Sequence, residues 1–171
     1  MKIAERHSER TLSRKEFLDL MDQEFAAGRA LPLTVTGSSM EPFLRNLRDQ
    51  AILVSAENRP LRRGDIVLFR RGDGSFVLHR LIEKENDGTC VVNGDAQTWT
   101  ERIGQRQILA VAEGIVRRGR YISCDRLCYR RCVRMWGWLR PMRKWCFAVG
   151  GRLKRSLKKL SGRERRRSPE K

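Results

Sequence analysis

The alternation of apolar and polar positions begins with a short helical segment. Its apolar residues recur at intervals of three and four, the spacing of an amphipathic helix: Phe17, Leu20, Met21 and Phe25. Ser13 and Glu16 precede the second turn with the spacing of a capping box, in which each side chain bonds to the backbone of the other residue. Gly28 ends the pattern. The sequence therefore predicts one helix within residues 1–30.

The next ninety or so residues carry short strand-like runs separated by Gly, Asp and Asn. Six such runs are predicted: 33–36, 51–55, 65–69, 76–82, 89–92 and 108–116. No helical segment lies between them, which favours an antiparallel barrel or sandwich over a parallel α/β sheet. We therefore expect a mainly β domain over residues 31–120.

From Tyr121 onward the apolar spacing becomes helical again. Gly137, Pro141 and the Gly150-Gly151 pair interrupt the stripe, so residues 121–162 are predicted to form two or three helical pieces rather than one rod. Residues 163–171 are almost wholly charged, and we expect them to be disordered.

The net charge of +17 lies entirely in this C-terminal region. Residues 1–116 carry 17 Lys/Arg and 17 Asp/Glu, whereas residues 117–171 carry 20 and 3. Such an asymmetry predicts a neutral body with a basic arm that meets phosphates, on lipid or on nucleic acid. Trp136, Trp138 and Trp145 accompany the apolar stripe, as in helices that lie on a membrane surface. We expect binding to anionic membranes from about residue 125 onward, with nucleic acid the less favoured partner and packing of the stripe on the sheet the structural alternative.

Localisation and metal content follow from what the sequence lacks. The N-terminus is charged and has no apolar run, and no window approaches the length of a membrane-spanning helix. This predicts a cytoplasmic protein that associates peripherally with membranes. The five cysteines favour free thiols, and three of them, Cys124, Cys128 and Cys132, fall on one helical face, where we expect them to be small buried apolar residues. Both histidines lie far from them in sequence, so we expect neither zinc nor any other cofactor.

Residues 37–42, Gly-Ser-Ser-Met-Glu-Pro, follow the first predicted strand. A turn of this composition exposes a hydroxyl while its backbone N–H groups point into the same space, an arrangement that suits a nucleophile with an oxyanion hole. Taken alone, the same composition is more often that of an ordinary turn. The segment is therefore a candidate only in combination with residues downstream.

Three downstream segments accompany this turn: 63–69 (Arg-Gly-Asp-Ile-Val-Leu-Phe), 77–82 (Val-Leu-His-Arg-Leu-Ile) and 92–96 (Val-Asn-Gly-Asp-Ala). In order and interval the set resembles the conserved boxes of type I signal peptidases and LexA-type self-cleaving proteins, over roughly residues 35–117. Bacterial signal peptidases and LexA-type repressors place lysine on the strand of the general base. Archaeal and endoplasmic-reticulum enzymes place histidine there, commonly followed by arginine, and His79-Arg80 is similar to that second type.

The resemblance implies roles for three residues. Ser39 would attack the scissile carbonyl, His79 would accept its proton, and Asp95 would orient or charge-balance the imidazole. Histidine titrates near neutrality, so we expect activity to rise at about pH 6–7, with Asp95 raising the pKa. The structural alternatives are a strand histidine satisfied by polar groups of the core and an Asn-Gly-Asp turn around Asp95.

This chain departs from the signal peptidase pattern at two places. Gly37 stands where signal peptidases commonly carry an oxyanion-hole serine, so Ser38 and backbone N–H groups, including that of Ser39, are the candidate donors. Residues 98–101 lack the further aspartates of the histidine-type enzymes, which makes Glu101 an alternative partner for the imidazole.

The favoured function is a serine endopeptidase that cleaves a leader or signal-type peptide. One alternative is a LexA-like regulatory module whose basic tail contacts DNA, although no helix-turn-helix precedes the body and Lys84 is offset from the position of the base. The other alternative is a catalytically inactive adaptor of the same fold.

Overall fold

The computed structural model describes residues 13–139, which form one antiparallel sheet of eight strands between two helices. The elements are α1 (Arg14–Ala26), β1 (Leu31–Thr34), β2 (Asp49–Ser55), β3 (Ile66–Arg70), β4 (Phe76–Lys84), β5 (Thr89–Asn93), β6 (Glu101–Gly104), a 3-10 turn (Gln105–Gln107), β7 (Ile108–Arg117), β8 (Arg120–Ser123) and α2 (Leu127–Trp138). The strand order is β1-β2-β7-β3-β4-β5-β6, with β8 paired to β7. The predicted mainly β fold is confirmed.

The N-terminal helix begins with the predicted capping box. The Ser13 hydroxyl accepts from the Glu16 N–H at 3.3 Å, and the Glu16 carboxylate accepts from the Ser13 N–H at 2.8 Å. Phe17 then packs on Phe76 of β4 with ring centroids 5.1 Å apart, and Met21 is buried. The helix therefore covers one face of the sheet through the apolar positions that predicted it.

The middle of the sheet is apolar on both faces. On β3, Ile66 and Leu68 join the core beneath α1, while Val67 and Phe69 join a second core on the opposite face. Alternate residues of a strand point to opposite faces, so an unbroken apolar run is what a strand buried on both sides requires. The predicted run at 65–69 reflects this central position.

The structure contains two strands, β6 and β8, that the sequence does not predict, and its C-terminal helix begins later than predicted. Residues Arg120–Ser123 return along β7 as β8, because Arg118 and Gly119 both adopt positive φ (50° and 75°), the backbone of a tight hairpin turn. The helix begins only at Leu127. Strand β6 is not predicted because it is short and polar, and Ile103 is its single buried residue.

One side of α2 packs on the sheet, and the other faces outward. Val133 is buried and Trp136 half-buried, whereas Cys128 and Cys132 are exposed, so the expectation that these two cysteines are buried is wrong. Cys124 precedes the helix and is buried, and the four cysteines within 13–139 are free thiols.

Neither described helix is long and apolar enough to cross a bilayer. No three His, Cys, Asp or Glu side chains within residues 13–139 are grouped so that they could hold a metal ion. The helical pieces predicted beyond residue 139, Trp145 and the charged segment 163–171 lie outside the described residues.

Candidate active site

The turn that carries Ser38 and Ser39 is fixed by both backbone and core contacts. Gly37 has φ of 84°, a conformation that glycine adopts without strain, and its N–H donates to the Asn46 side chain at 2.9 Å. The next residue after the serines, Met40, is 1% exposed and anchors the turn in the core beneath α1. Ser38 is exposed and Ser39 is half-buried at the surface of this anchored turn.

A second turn, which follows β5, locks onto the backbone of Ser39. The Ala96 N–H donates to the Ser39 carbonyl at 2.8 Å. A Cβ atom at Gly94 would lie 2.7 Å from the same carbonyl oxygen, closer than real Cβ contacts allow. Gly94 therefore permits an approach of two backbones that any larger residue would prevent.

The Ser39 turn also presents backbone donors. Between residues 13 and 139, no acceptor is bonded to the N–H groups of Ser38, Ser39 or Met40. Several free N–H groups beside a hydroxyl are what stabilisation of an oxyanion requires. The identity of the oxyanion donor stays a prediction.

His79 lies in the middle of β4, opposite Val67 of β3, and is 2% exposed. The Phe69 ring is 5.8 Å from the imidazole, and the Trp99 ring approaches it edge-on at 6.2 Å. In the described part of the chain, the imidazole Nδ1 is buried and has no hydrogen-bond partner. The alternative of a histidine satisfied by core polar groups is therefore wrong for this nitrogen.

Burial lowers the pKa of His79 from 6.5 to about 4. The negative charges of Glu101 and Asp95 act in the opposite direction, while Arg71 adds to the lowering. The expected upward shift of the pKa by Asp95 is thus outweighed, because removing a cationic imidazolium from water costs more than these distant charges recover. At neutral pH the imidazole is uncharged and able to accept a proton.

Asp95 does not bond to the imidazole. Both of its oxygens accept from Arg80, Oδ1 from Nε at 2.8 Å and Oδ2 from Nη2 at 2.6 Å, and both side chains are buried. Adjacent strand residues point to opposite faces, so Arg80 faces the Asp95 turn while His79 faces the other core. The orienting role expected for Asp95 is corrected to one of binding Arg80, and only its weaker charge effect reaches His79.

Glu101 contributes the larger charge effect on His79, although it too is engaged elsewhere. Its carboxylate accepts two bonds from Arg71, at 2.7 Å and 2.6 Å. Glu101, the alternative partner named from the sequence, therefore affects the pKa of His79 through its charge alone, and the charge of Arg71 acts in the opposite direction.

Trp136 of α2 joins the cluster around Asp95. Its indole N–H donates to the Asp95 carbonyl at 3.2 Å, and its ring lies 6.2 Å from that of Phe43. The Arg80 guanidinium also stacks on the Phe43 ring, with its Cζ atom 4.8 Å from the ring centroid. Trp136 is therefore half-buried and turned toward the protein, whereas Trp138 is 79% exposed, and membrane contact by these residues stays a prediction.

These contacts tie the Ser39 turn to the end of β5, which is paired with β4, the strand that carries His79. Asn93, at the end of β5, is the register partner of Arg80, and the turn that follows Asn93 holds the Ser39 carbonyl. Across residues 13–139 no hydrogen bond joins the Ser39 hydroxyl to His79. The side chains of the two predicted residues are not bonded to each other in this part of the chain, and their pairing stays a prediction.

Sequence reasoning missed the side chains that surround the predicted residues. Trp99, Arg71 and Trp136 belong to no recognised box, and each reaches the site from a separate element. Only the different orientation of Arg80 could have been predicted from the sequence, because adjacent residues of a strand point to opposite faces of the sheet.

Comparison with known families adds to this geometry. A family model described as Peptidase S24-like matches residues 4–112, a segment that contains Ser39, His79 and Asp95 and ends before β8 and α2. No curated protein matches the chain closely enough to serve as a relative. Because the matched segment spans more than half of the sequence, this chain belongs to the Peptidase S24-like family, within the superfamily of LexA-like and signal peptidase-like serine peptidases.

Proposed function

We propose that this protein is an active serine endopeptidase in which Ser39 is the nucleophile and His79 the general base. The observation that supports the proposal is the combination of a clamped Ser39 turn with a buried, uncharged histidine whose Nδ1 has no partner within the described residues. A hydroxyl needs such a base to become a nucleophile at neutral pH.

The reaction follows from these roles. The Ser39 oxygen attacks the scissile carbonyl carbon as its proton passes to His79, and free N–H groups of the turn stabilise the resulting oxyanion. The protonated imidazole then gives its proton to the leaving amine as the peptide bond breaks. In the second half of the reaction water attacks the acyl-enzyme while His79 accepts its proton; the ester bond to Ser39 then breaks, the carboxylic acid product leaves, and His79 returns the proton to the Ser39 oxygen.

The proposed substrate is a leader or signal-type peptide, cut after small residues in an extended segment. The support is the resemblance of residues 37–42, 63–69, 77–82 and 92–96 to the boxes of histidine-type signal peptidases. The placement of Lys84 also favours His79 as the base, because Lys84 lies exposed at the far end of β4, opposite Cys90.

The direct test is labelling of the purified full-length protein with a fluorophosphonate probe, together with cleavage of a leader-peptide library. Ser39→Ala should abolish both signals without changing the unfolding midpoint, since the hydroxyl lies at the surface of its turn. The matched control is Ser38→Ala, which we expect to cost at most about 100-fold to 1,000-fold as one oxyanion donor.

Three outcomes would contradict the proposal. Loss of activity in Ser38→Ala together with activity in Ser39→Ala would place the nucleophile at the neighbouring residue. No labelling and no cleavage in the folded wild-type protein would indicate the inactive adaptor. Self-cleavage controlled by binding of duplex DNA would indicate the LexA-like regulatory module.

A further inference from the structure

A cavity of about 320 Å³ lies between α2, the strand β4 and the loop residues 63–64 that precede β3, and Ser39 and His79 do not line it. Four arginine side chains contribute to its wall: Arg63, Arg80, Arg130 and Arg134. Val133, Gly137 and Trp138 supply the helix side of the wall. A small cavity with this many guanidinium groups is suited to an anionic ligand.

Two of the four arginines are already neutralised by buried carboxylates. Arg80 binds Asp95 through two bonds, and Arg130 binds Asp65 at 2.8 Å. The other two, Arg63 and Arg134, bond through their side chains to no acceptor in the described part of the chain. The cavity therefore holds two uncompensated positive charges.

The outer side of α2, next to this cavity, combines apolar and basic residues. Leu127 is 74%, Met135 60% and Trp138 79% exposed. At the helical repeat these three residues fall with Arg131 and Arg134 within an arc of about 100°. The helix contains no acidic residue. Bulky apolar side chains held in water beside arginines are typical of helices that lie in a lipid headgroup layer.

We propose that the α2 cavity binds the phosphate of an anionic phospholipid, with Arg63 and Arg134 as its ligands. Trp138, at the edge of the cavity, lies at the level of the glycerol backbone, and Leu127 and Met135 reach the upper acyl chains. The site adds a specific lipid contact to the unspecific attraction of the basic residues 117–171. It is independent of the proposed peptidase activity.

Lipid fits this surface better than nucleic acid does. Duplex DNA is bound through phosphates by basic side chains and offers no apolar layer for exposed Leu, Met and Trp. A phosphodiester linked to acyl chains satisfies the two arginines and covers the apolar residues together. The combination on one side of α2 therefore points to a membrane surface.

The test measures co-sedimentation of the full-length protein with vesicles of phosphatidylcholine alone or mixed with phosphatidylglycerol. We expect Arg63→Gln/Arg134→Gln to weaken binding to the mixed vesicles about 30-fold, since each basic residue near an anionic leaflet contributes roughly a fivefold factor. The matched control, Arg106→Gln/Arg120→Gln, removes the same charge from exposed arginines outside the cavity and should change binding less than about threefold.

Two further measurements separate the cavity from general attraction. Trp138→Ser should reduce the binding that survives in high salt, because apolar contacts are not screened. Soluble dihexanoyl phosphatidylglycerol should bind with one-to-one saturation to the wild type and not to Arg63→Gln/Arg134→Gln, whereas inorganic phosphate should bind far more weakly.

The proposal would be overturned by equal effects of the two arginine pairs, by phosphate binding as tightly as the soluble lipid, or by tighter binding to duplex DNA than to mixed vesicles at the same salt. Peptide cleavage measured without vesicles should be unchanged in both arginine variants. A loss of lipid binding is thereby distinguished from a failure of the peptidase assignment.

Discussion

His79 and Arg80 are adjacent on β4, are both nearly inaccessible to solvent, and have opposite surroundings. Arg80 makes two bonds to Asp95, donates to the Gly64 carbonyl and stacks on Phe43. His79 contacts rings and, in the described part of the chain, has a buried nitrogen with no partner. The strand thus directs Arg80 into a hydrogen-bond network and His79 into an apolar core.

The difference indicates how burial can serve either stability or reactivity. A buried charge that has all its partners is held in one position. When one partner is removed, the other charge stays in the protein interior without a partner and without water to solvate it. A buried neutral base keeps its lone pair available, at the cost of an unmade hydrogen bond. Substitutions at the two positions should therefore change different observables.

The largest expected effect is on activity. His79→Gln removes the proposed proton acceptor while keeping a polar side chain of similar size, and we expect kcat/KM to fall by roughly 100-fold to 10,000-fold. The unfolding midpoint should change little. Full activity in this variant would remove His79 from the mechanism.

The next effect is on stability. Arg80→Met leaves the Asp95 carboxylate buried and unpaired, which should lower the free energy of unfolding by about 3–5 kcal/mol in urea denaturation. Arg71→Met is the matched control, because it breaks a two-bond pair with Glu101 that is partly exposed, and should cost less than about 1 kcal/mol. A double variant, Arg80→Met/Asp95→Leu, should regain much of the loss, and equal costs for the two single variants would contradict the comparison.

A third prediction concerns pH. The pKa of His79 in the folded protein is about 4, below its ordinary 6.5, so the unfolded chain binds the extra proton first. The corresponding stability is present above pH 6.5 and is lost as the pH falls toward 4, by about 3 kcal/mol at most. His79→Gln should remove this part of the pH dependence of unfolding.

Activity should follow the same titration. Because the imidazole is already neutral, kcat/KM should stay level between about pH 5.5 and about pH 8 rather than rise at about pH 6–7. A half-maximal rate near the ordinary value of 6.5 would show that His79 titrates in water-like surroundings and would contradict its burial.

The smallest effect concerns Trp136, which bonds to the carbonyl of Asp95 beside the turn that holds Ser39. Trp136→Phe keeps the ring and deletes the N–H, so we expect a loss of about 1 kcal/mol in stability and a several-fold fall in kcat with little change in KM. Trp138→Phe, on the exposed side of α2, is the control and should leave kcat unchanged.

The sequence was sufficient for the elements that bury a regular pattern. The capping box at Ser13, the six strand runs and the position of the Ser39 turn follow from local spacing and composition. The partner of Asp95 could not be predicted in this way, because an aspartate in a turn can bond to either of two adjacent residues, His79 or Arg80, on the neighbouring strand. The register that places Asn93 opposite Arg80 is decided by long-range pairing of the strands.

Burial of individual polar residues was equally hard to predict. The low pKa of His79 depends on Phe69 and Trp99, which lie ten residues before it and twenty after it. The inward orientation of Trp136 depends on Phe43, far upstream. Such contacts are fixed by the packing of several elements, which a periodic pattern along one element does not encode.

The position of β7 between β2 and β3 has a consequence for synthesis on the ribosome. The Ser39 turn lies between β1 and β2, and His79 lies on β4; in the sheet formed by the described residues, the pair β1-β2 is connected to β3, β4 and β5 through β7, Ile108–Arg117. A nascent chain that has not yet released residue 117 cannot complete the sheet that carries the proposed nucleophile and base. At translation speeds of about 5–20 residues per second, the proposed site should therefore stay incomplete for several seconds after Ser39 and His79 have been synthesised.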